Sequence, residues 1–143
     1  MSSLRALSFA VLGADKALEA DADDALAWQI LERGLAHLDA AHMHHNARGE
    51  RWFEPYLAYD NGRLSQAMLR AAVRLEQPVA ALRSMDALTW ITHMQIEPAG
   101  HFRPIGSQAF GVTEIPGDPF DQQAVDAWAM VDAAAAAFAH TGE

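Results

Sequence analysis

The strongest constraint on this chain is a stretch with no helical pattern, set between stretches that have one. From Glu97 to Gln123 it reads EPAGHFRPIGSQAFGVTEIPGDPFDQQ, with Pro98, Pro104, Pro116 and Pro119 interleaved with Gly100, Gly106, Gly111 and Gly117. Each proline removes a backbone donor and fixes one dihedral angle, so no long helix passes through. A connection longer than about 12–15 residues inside a compact domain is usually functional or disordered. Phe102, Ile105, Phe110, Val112, Ile115 and Phe120 give it more apolar surface than a disordered linker carries. The pattern predicts an ordered loop over residues 97–120, folded onto a surface. His101, Arg103, Glu114, Asp118 and Asp121 are its chemically useful groups.

The remainder predicts helix. Alanine is abundant, β-branched residues are sparse, and hydrophobic residues make up 51% of the 143, enough for one core. The spacings predict helices over Leu4–Ala20, Ala25–His42, Asn61–Leu75, Val79–Gln95 and from a cap at Asp121 to His140. The cluster Asp21-Ala22-Asp23-Asp24 is expected to cap the second helix and Asp60 the third, and Pro78 suits a first helical position. Gly13 predicts close packing of the first helix against a neighbour. In the last helix Ala124/Val125, Trp128, Val131/Asp132 and Ala135 form one apolar face, and the run Ala133–Ala137 permits very close approach of another backbone. Short connections make successive helices antiparallel neighbours. The expected fold is therefore all-α, a single helical domain over 1–143 built from helical hairpins, with Phe110–Ile115 as a short ribbon at most.

Net charge narrows the partners. At −9 the chain is unsuited to nucleic acid or to an anionic membrane surface. No apolar run reaches the ~18 residues of a membrane span. The absence of cysteine excludes disulfides and thiolate metal sites, and with a start that lacks a secretory pattern it fits the cytoplasm.

Three constellations carry potential chemistry. His37, His42, His44 and His45 cluster near one helix end, but no carboxylate stands at a ligand spacing, so neither a metal nor another cofactor is expected. Trp52, Phe53, Tyr56 and Tyr59 could stack on sugar rings, although core packing under a loop is the stronger reading from composition alone. Glu54, Asp60, His101, Glu114, Asp118 and Asp121 are candidates for acid–base work, since paired carboxylates hydrolyse glycosides. Asp60 and Asp121 serve equally well as helix caps. The glycines match no nucleotide-binding fingerprint.

Two segments together carry a resemblance. WFEPYLAYDNGRLSQAMLRAA resembles W-x-E-x-x-L-x-Y-x-N-x-x-L-x-x-A-L-L-x-A, and GHFRPIG with the later FDQQ resembles G-H-F-x-P-I-G followed by F-D-Q-Q-P-x-E-A. Both motifs are similar to those of a bacterial family of helical-toroid proteins, labelled glycosyltransferases or glycosyltransferase-associated, of the six-hairpin glycosidase type. The resemblance implies a partial α/α toroid in which inner-helix ends and long loops line a sugar-sized cleft. Glu54 and Asp121 fall on motif positions and, with neighbouring Asp60, are the candidate acid and base. Trp52, Tyr59, Asn61, His101, Arg103, Gln122 and Gln123 are the candidate substrate-binding residues. Two departures stand out: Ala124 replaces the family's proline, and Asp126 its glutamate.

A full toroid needs more than twice this length, so the chain corresponds to the last part of one. The uncovered apolar faces imply a homodimer or other homo-oligomer. The leading expectation is carbohydrate binding or processing, with glycoside acid–base chemistry as a possible activity. The alternative is a non-catalytic assembly module that pairs with itself or with a glycosyltransferase. A truncated product without activity is a third reading.

Overall fold

A computed structural model describes residues 3–105 and 122–142. They form five helices: α1 (Leu4–Ala20), α2 (Ala25–Asn46), α3 (Gly62–Arg74), α4 (Pro78–Met94) and α5 (Ala124–Thr141). The all-α expectation holds. Among the described residues no helix is long and apolar enough to cross a membrane.

α3 is the central element and packs against all four other helices, while α1 also packs on α2. Its burial explains that position. Leu64, Ala67, Met68, Ala71 and Ala72 have no exposed surface, and Leu69 is nearly as buried. The small residues bring neighbours close. A Cβ on Gly62 would stand 2.6 Å from the Ala129 carbonyl oxygen, and one on Gly34 would overlap the Val11 side chain. These glycines, rather than Gly13, mark the tight crossings. A Cβ on Gly13 would meet nothing within 4 Å.

The helix ends obey local chemistry in part. Asp24 accepts from the Leu26 and Ala27 amides at 2.9 and 3.0 Å, and Pro78 opens α4, both as expected. α2 runs one turn beyond His42, its expected end, and takes in His44 and His45. Histidine is tolerated there because cationic or dipolar groups suit a helix C-terminus. The turn itself comes next, with Gly49 at φ +82°. The expected N-cap role of Asp60 fails. Asn61 holds that position without a side-chain cap bond, and Asp60 sits at φ +56°, a left-handed conformation aspartate tolerates better than most residues.

On α5 the face that holds Trp128 is exposed, and the buried side takes in Ala133 and Ala137 of the alanine run. Asp126, Ala129, Met130, Ala133 and Ala137 are buried, whereas Trp128 and Val131 are 61% and 65% exposed. An alanine-rich helix is apolar on every side, so its large residues bias the assignment. The close approach to Gly62 instead selects the alanine face. In α4, Val79 and Leu82 are likewise exposed.

The predicted long loop is described only at its start. Ile96 and Phe102 form an isolated antiparallel bridge across a turn with Gly100 at φ +85°, and Ile105, three residues after the bridge, is buried against the core. The expected ribbon at Phe110–Ile115, and Glu114, Asp118 and Asp121, lie outside the described residues.

Candidate functional site

The aromatic-rich segment before α3 folds so that its residues divide between core and surface. Trp52 and Phe53 are buried edge to face, with Trp52 also against Trp90. Trp52, expected to bind substrate, is 0% exposed and packs in the core. Tyr56 and Tyr59 stay at the surface, just before the left-handed turn at Asp60.

A buried polar network fixes this segment. Arg5, on the first turn of α1, donates from Nη1 to Glu54 Oε2 at 2.5 Å, from Nε to the Tyr59 carbonyl at 2.6 Å and from Nη2 to Asn61 Oδ1 at 3.1 Å. Asn61 closes a local ring with Ala58, donating to its carbonyl at 2.7 Å and accepting from its amide at 3.2 Å. Glu54 and Asn61 are therefore held by one guanidinium, and all three residues are buried. The Tyr56 hydroxyl lies 3.4 Å from Glu54 Oε1, and the carboxylate beside it pushes the phenol above its ordinary range.

A second part of the network reaches α5. The Asp60 amide donates to Asp126 Oδ1 at 2.5 Å. Both aspartates are pushed above the usual carboxylate range, mainly by burial. Arg63 and Arg5 oppose this at Asp60. At Asp126 the Asp60 amide opposes it, and the Asp60 charge adds to it. Arg63 donates to Asp132 at 2.6 Å and to Gln66 at 2.8 Å, and its Nε lies 3.4 Å from Asp60 Oδ1.

The two arginines share a further feature. The Arg5 guanidinium carbon stands 5.4 Å from the Tyr59 ring centroid, and that of Arg63 stands 4.7 Å from the Trp128 ring centroid. Each arginine is about 5% exposed, while Tyr59 and Trp128 are 55% and 61% exposed. Each ring is thus backed by a buried cation that carboxylates hold in place, a geometry worth about 0.5–2 kcal/mol.

The structure brings together Glu54, Tyr59, Asp60 and Asn61 from the expected set. His101 and Arg103 are placed otherwise: His101 Nε2 is 3.0 Å from Glu97, and Arg103 donates to the same carboxylate at 2.8 Å. These contacts hold the Glu97 carboxyl below its ordinary range, chiefly through Arg103. Gln122 and Gln123 are exposed just before α5. Sequence reasoning missed Arg5, Arg63 and Asp126 as organisers. Arg5 sat within a helix read for its leucines, and Arg63 carried no motif signal. Asp126 appeared only as a departure from the family pattern.

Among the described residues, no group of three or more His, Cys, Asp or Glu side chains is arranged to hold a metal ion. Within the histidine cluster, His45 pairs with Glu50 at 2.5 Å, while His42 is buried with neither ring nitrogen hydrogen-bonded. No family model, curated protein or solved structure matches the chain.

Proposed function

We propose that this chain is a carbohydrate-binding helical module, part of an α/α toroid, that holds a saccharide without hydrolysing it. The observation that carries the reading is the arrangement of Tyr59 on Arg5. Its ring is backed by a buried, ion-paired guanidinium and the residue is 55% exposed, a pre-ordered surface for the C–H face of a sugar. Tyr56, also exposed, adds a hydroxyl beside Glu54.

Binding is favoured over turnover by where the carboxylates lie. A glycosidase places two carboxyl groups against the scissile bond. Among the described residues, Glu54 is engaged by Arg5, Asp60 is buried beside Arg63, and Asp126 is buried and accepts from the Asp60 amide. Their contacts serve the fold. The test is the apparent thermal stability with added mono- and oligosaccharides, because a ligand that binds only the folded state raises it with concentration. Tyr59→Ala is expected to abolish the shift without unfolding the chain. A shift that survives this change would overturn the reading.

The alternative, a non-catalytic module that assembles with a second copy or with a glycosyltransferase, is favoured by one observation. Trp128, Val131, Ala135 and Phe138 form an exposed row along α5. Light scattering on Val131→Glu and Phe138→Glu tests it: an assembly module is a dimer or larger, and these changes disperse it.

A further inference from the structure

We infer that the open groove between α1 and α5, floored by α3, is a second saccharide subsite, so that the ligand is a neutral oligosaccharide chain rather than a single sugar. The inference rests on the carbohydrate reading and extends it to a face that the sequence motifs do not include.

The groove has a volume of about 600 Å³, within the ~300–1,000 Å³ of small-molecule sites. Phe9 on α1 and Trp128 on α5 are two of its lining aromatics, 51% and 61% exposed. Arg63 and Gln66 contribute from α3, and Gly13, which has open space where a Cβ would be, widens the α1 side. Trp128 repeats the device seen at Tyr59, an exposed ring over a buried arginine. One hydrogen bond ties the segment of the first platform to the helix of the second. The Asp60 amide bonds Asp126, so the residue before one partner and the second residue after the other carry the two rings. Along α1, Phe9 lies four residues after Arg5, which continues the same side of the helix from the first platform toward the groove.

The charge pattern selects the ligand class. Each cation lining the groove already has a carboxylate partner: Arg63 with Asp132 at 2.6 Å, Arg70 with Asp15 at 2.6 Å and Lys16 with Glu19 at 2.7 Å. A charged ligand would have to displace one of these pairs. A neutral, hydroxyl-rich ligand need not, because the paired groups still offer donors and acceptors at their edges while the aromatic rings cover its apolar faces.

The test is isothermal titration of the full chain with glucose, maltose, maltohexaose, cellobiose and cellohexaose. The expected result is a hexasaccharide that binds about five- to tenfold more tightly than the monosaccharide. Trp128→Ala and Phe9→Ser should each remove that gain and leave the monosaccharide affinity unchanged, whereas Tyr59→Ala abolishes binding at every length. Trp128→Phe, which keeps a ring, should retain part of the gain. Phe9 is exposed, so its substitution stays informative if loss of the indole perturbs α5. Binding that is independent of chain length, or that both groove variants leave intact, overturns the groove while the Tyr59 platform stands. Absence of binding by the unaltered chain overturns both, and a dimer dispersed by Phe9→Ser assigns the groove to a second copy.

Discussion

Arg5 joins one end of α1 to the segment that precedes α3, and its removal strands a carboxylate. Glu54 is buried with Arg5 as its ion-pair partner, so Arg5→Ala leaves that charge without compensation. Breaking a buried pair in this way costs about 3–5 kcal/mol, whereas replacing both partners by apolar residues is often neutral. Urea unfolding should therefore show a large loss for Arg5→Ala and a much smaller one for the double change Arg5→Met with Glu54→Leu. His42 governs a different response. Burial is the main force holding this imidazole below its ordinary range; Asp86 and Asp39 oppose it, and Arg83 and His45 reinforce it. A lowered folded value means that the unfolded chain binds the proton more readily, so stability falls as pH drops below about 6.5. Thermal unfolding between pH 7 and pH 5 should show this decline, and His42→Leu, beside the Phe53 ring, should flatten it.

At the scale of the helices, two glycines should behave in opposite ways. Gly62→Ala drives a methyl group into the backbone of α5 at Ala129, and the α3–α5 crossing must open. Gly13→Ala meets open space and gains helix propensity of about 0.5–1 kcal/mol. Chemical denaturation of the two variants should give shifts of opposite sign. Much of this level was legible in the sequence. The α1 bounds, the Asp24 cap and the Pro78 start come from local rules, because caps and breakers act over three or four residues. The α5 face was legible only through its alanine run; that the buried side continues through Ala129 is set by Gly62, more than sixty residues away. Asp60 misled for a related reason. Aspartate suits both a cap and a left-handed turn, and its bond to Asp126 on α5 decides between them. The candidate site was legible as a segment but not as a set of roles: the sequence cannot show which aromatics of 52–59 face inward, or that a first-turn arginine of α1 orders them.

For the whole molecule, the five helices place a buried charge network at one end and two exposed, arginine-backed rings beside it. A network serving only stability gains little over apolar packing. Here it also fixes the surface rings. The most direct test of that role is the thermal midpoint of the full chain against increasing neutral oligosaccharide, with Tyr59→Ala measured in parallel. A midpoint that climbs with the logarithm of ligand concentration, and no longer does so in the variant, is the predicted result. A midpoint indifferent to every sugar, in a chain that light scattering shows to be a dimer, would contradict it and make the exposed rings part of an assembly surface.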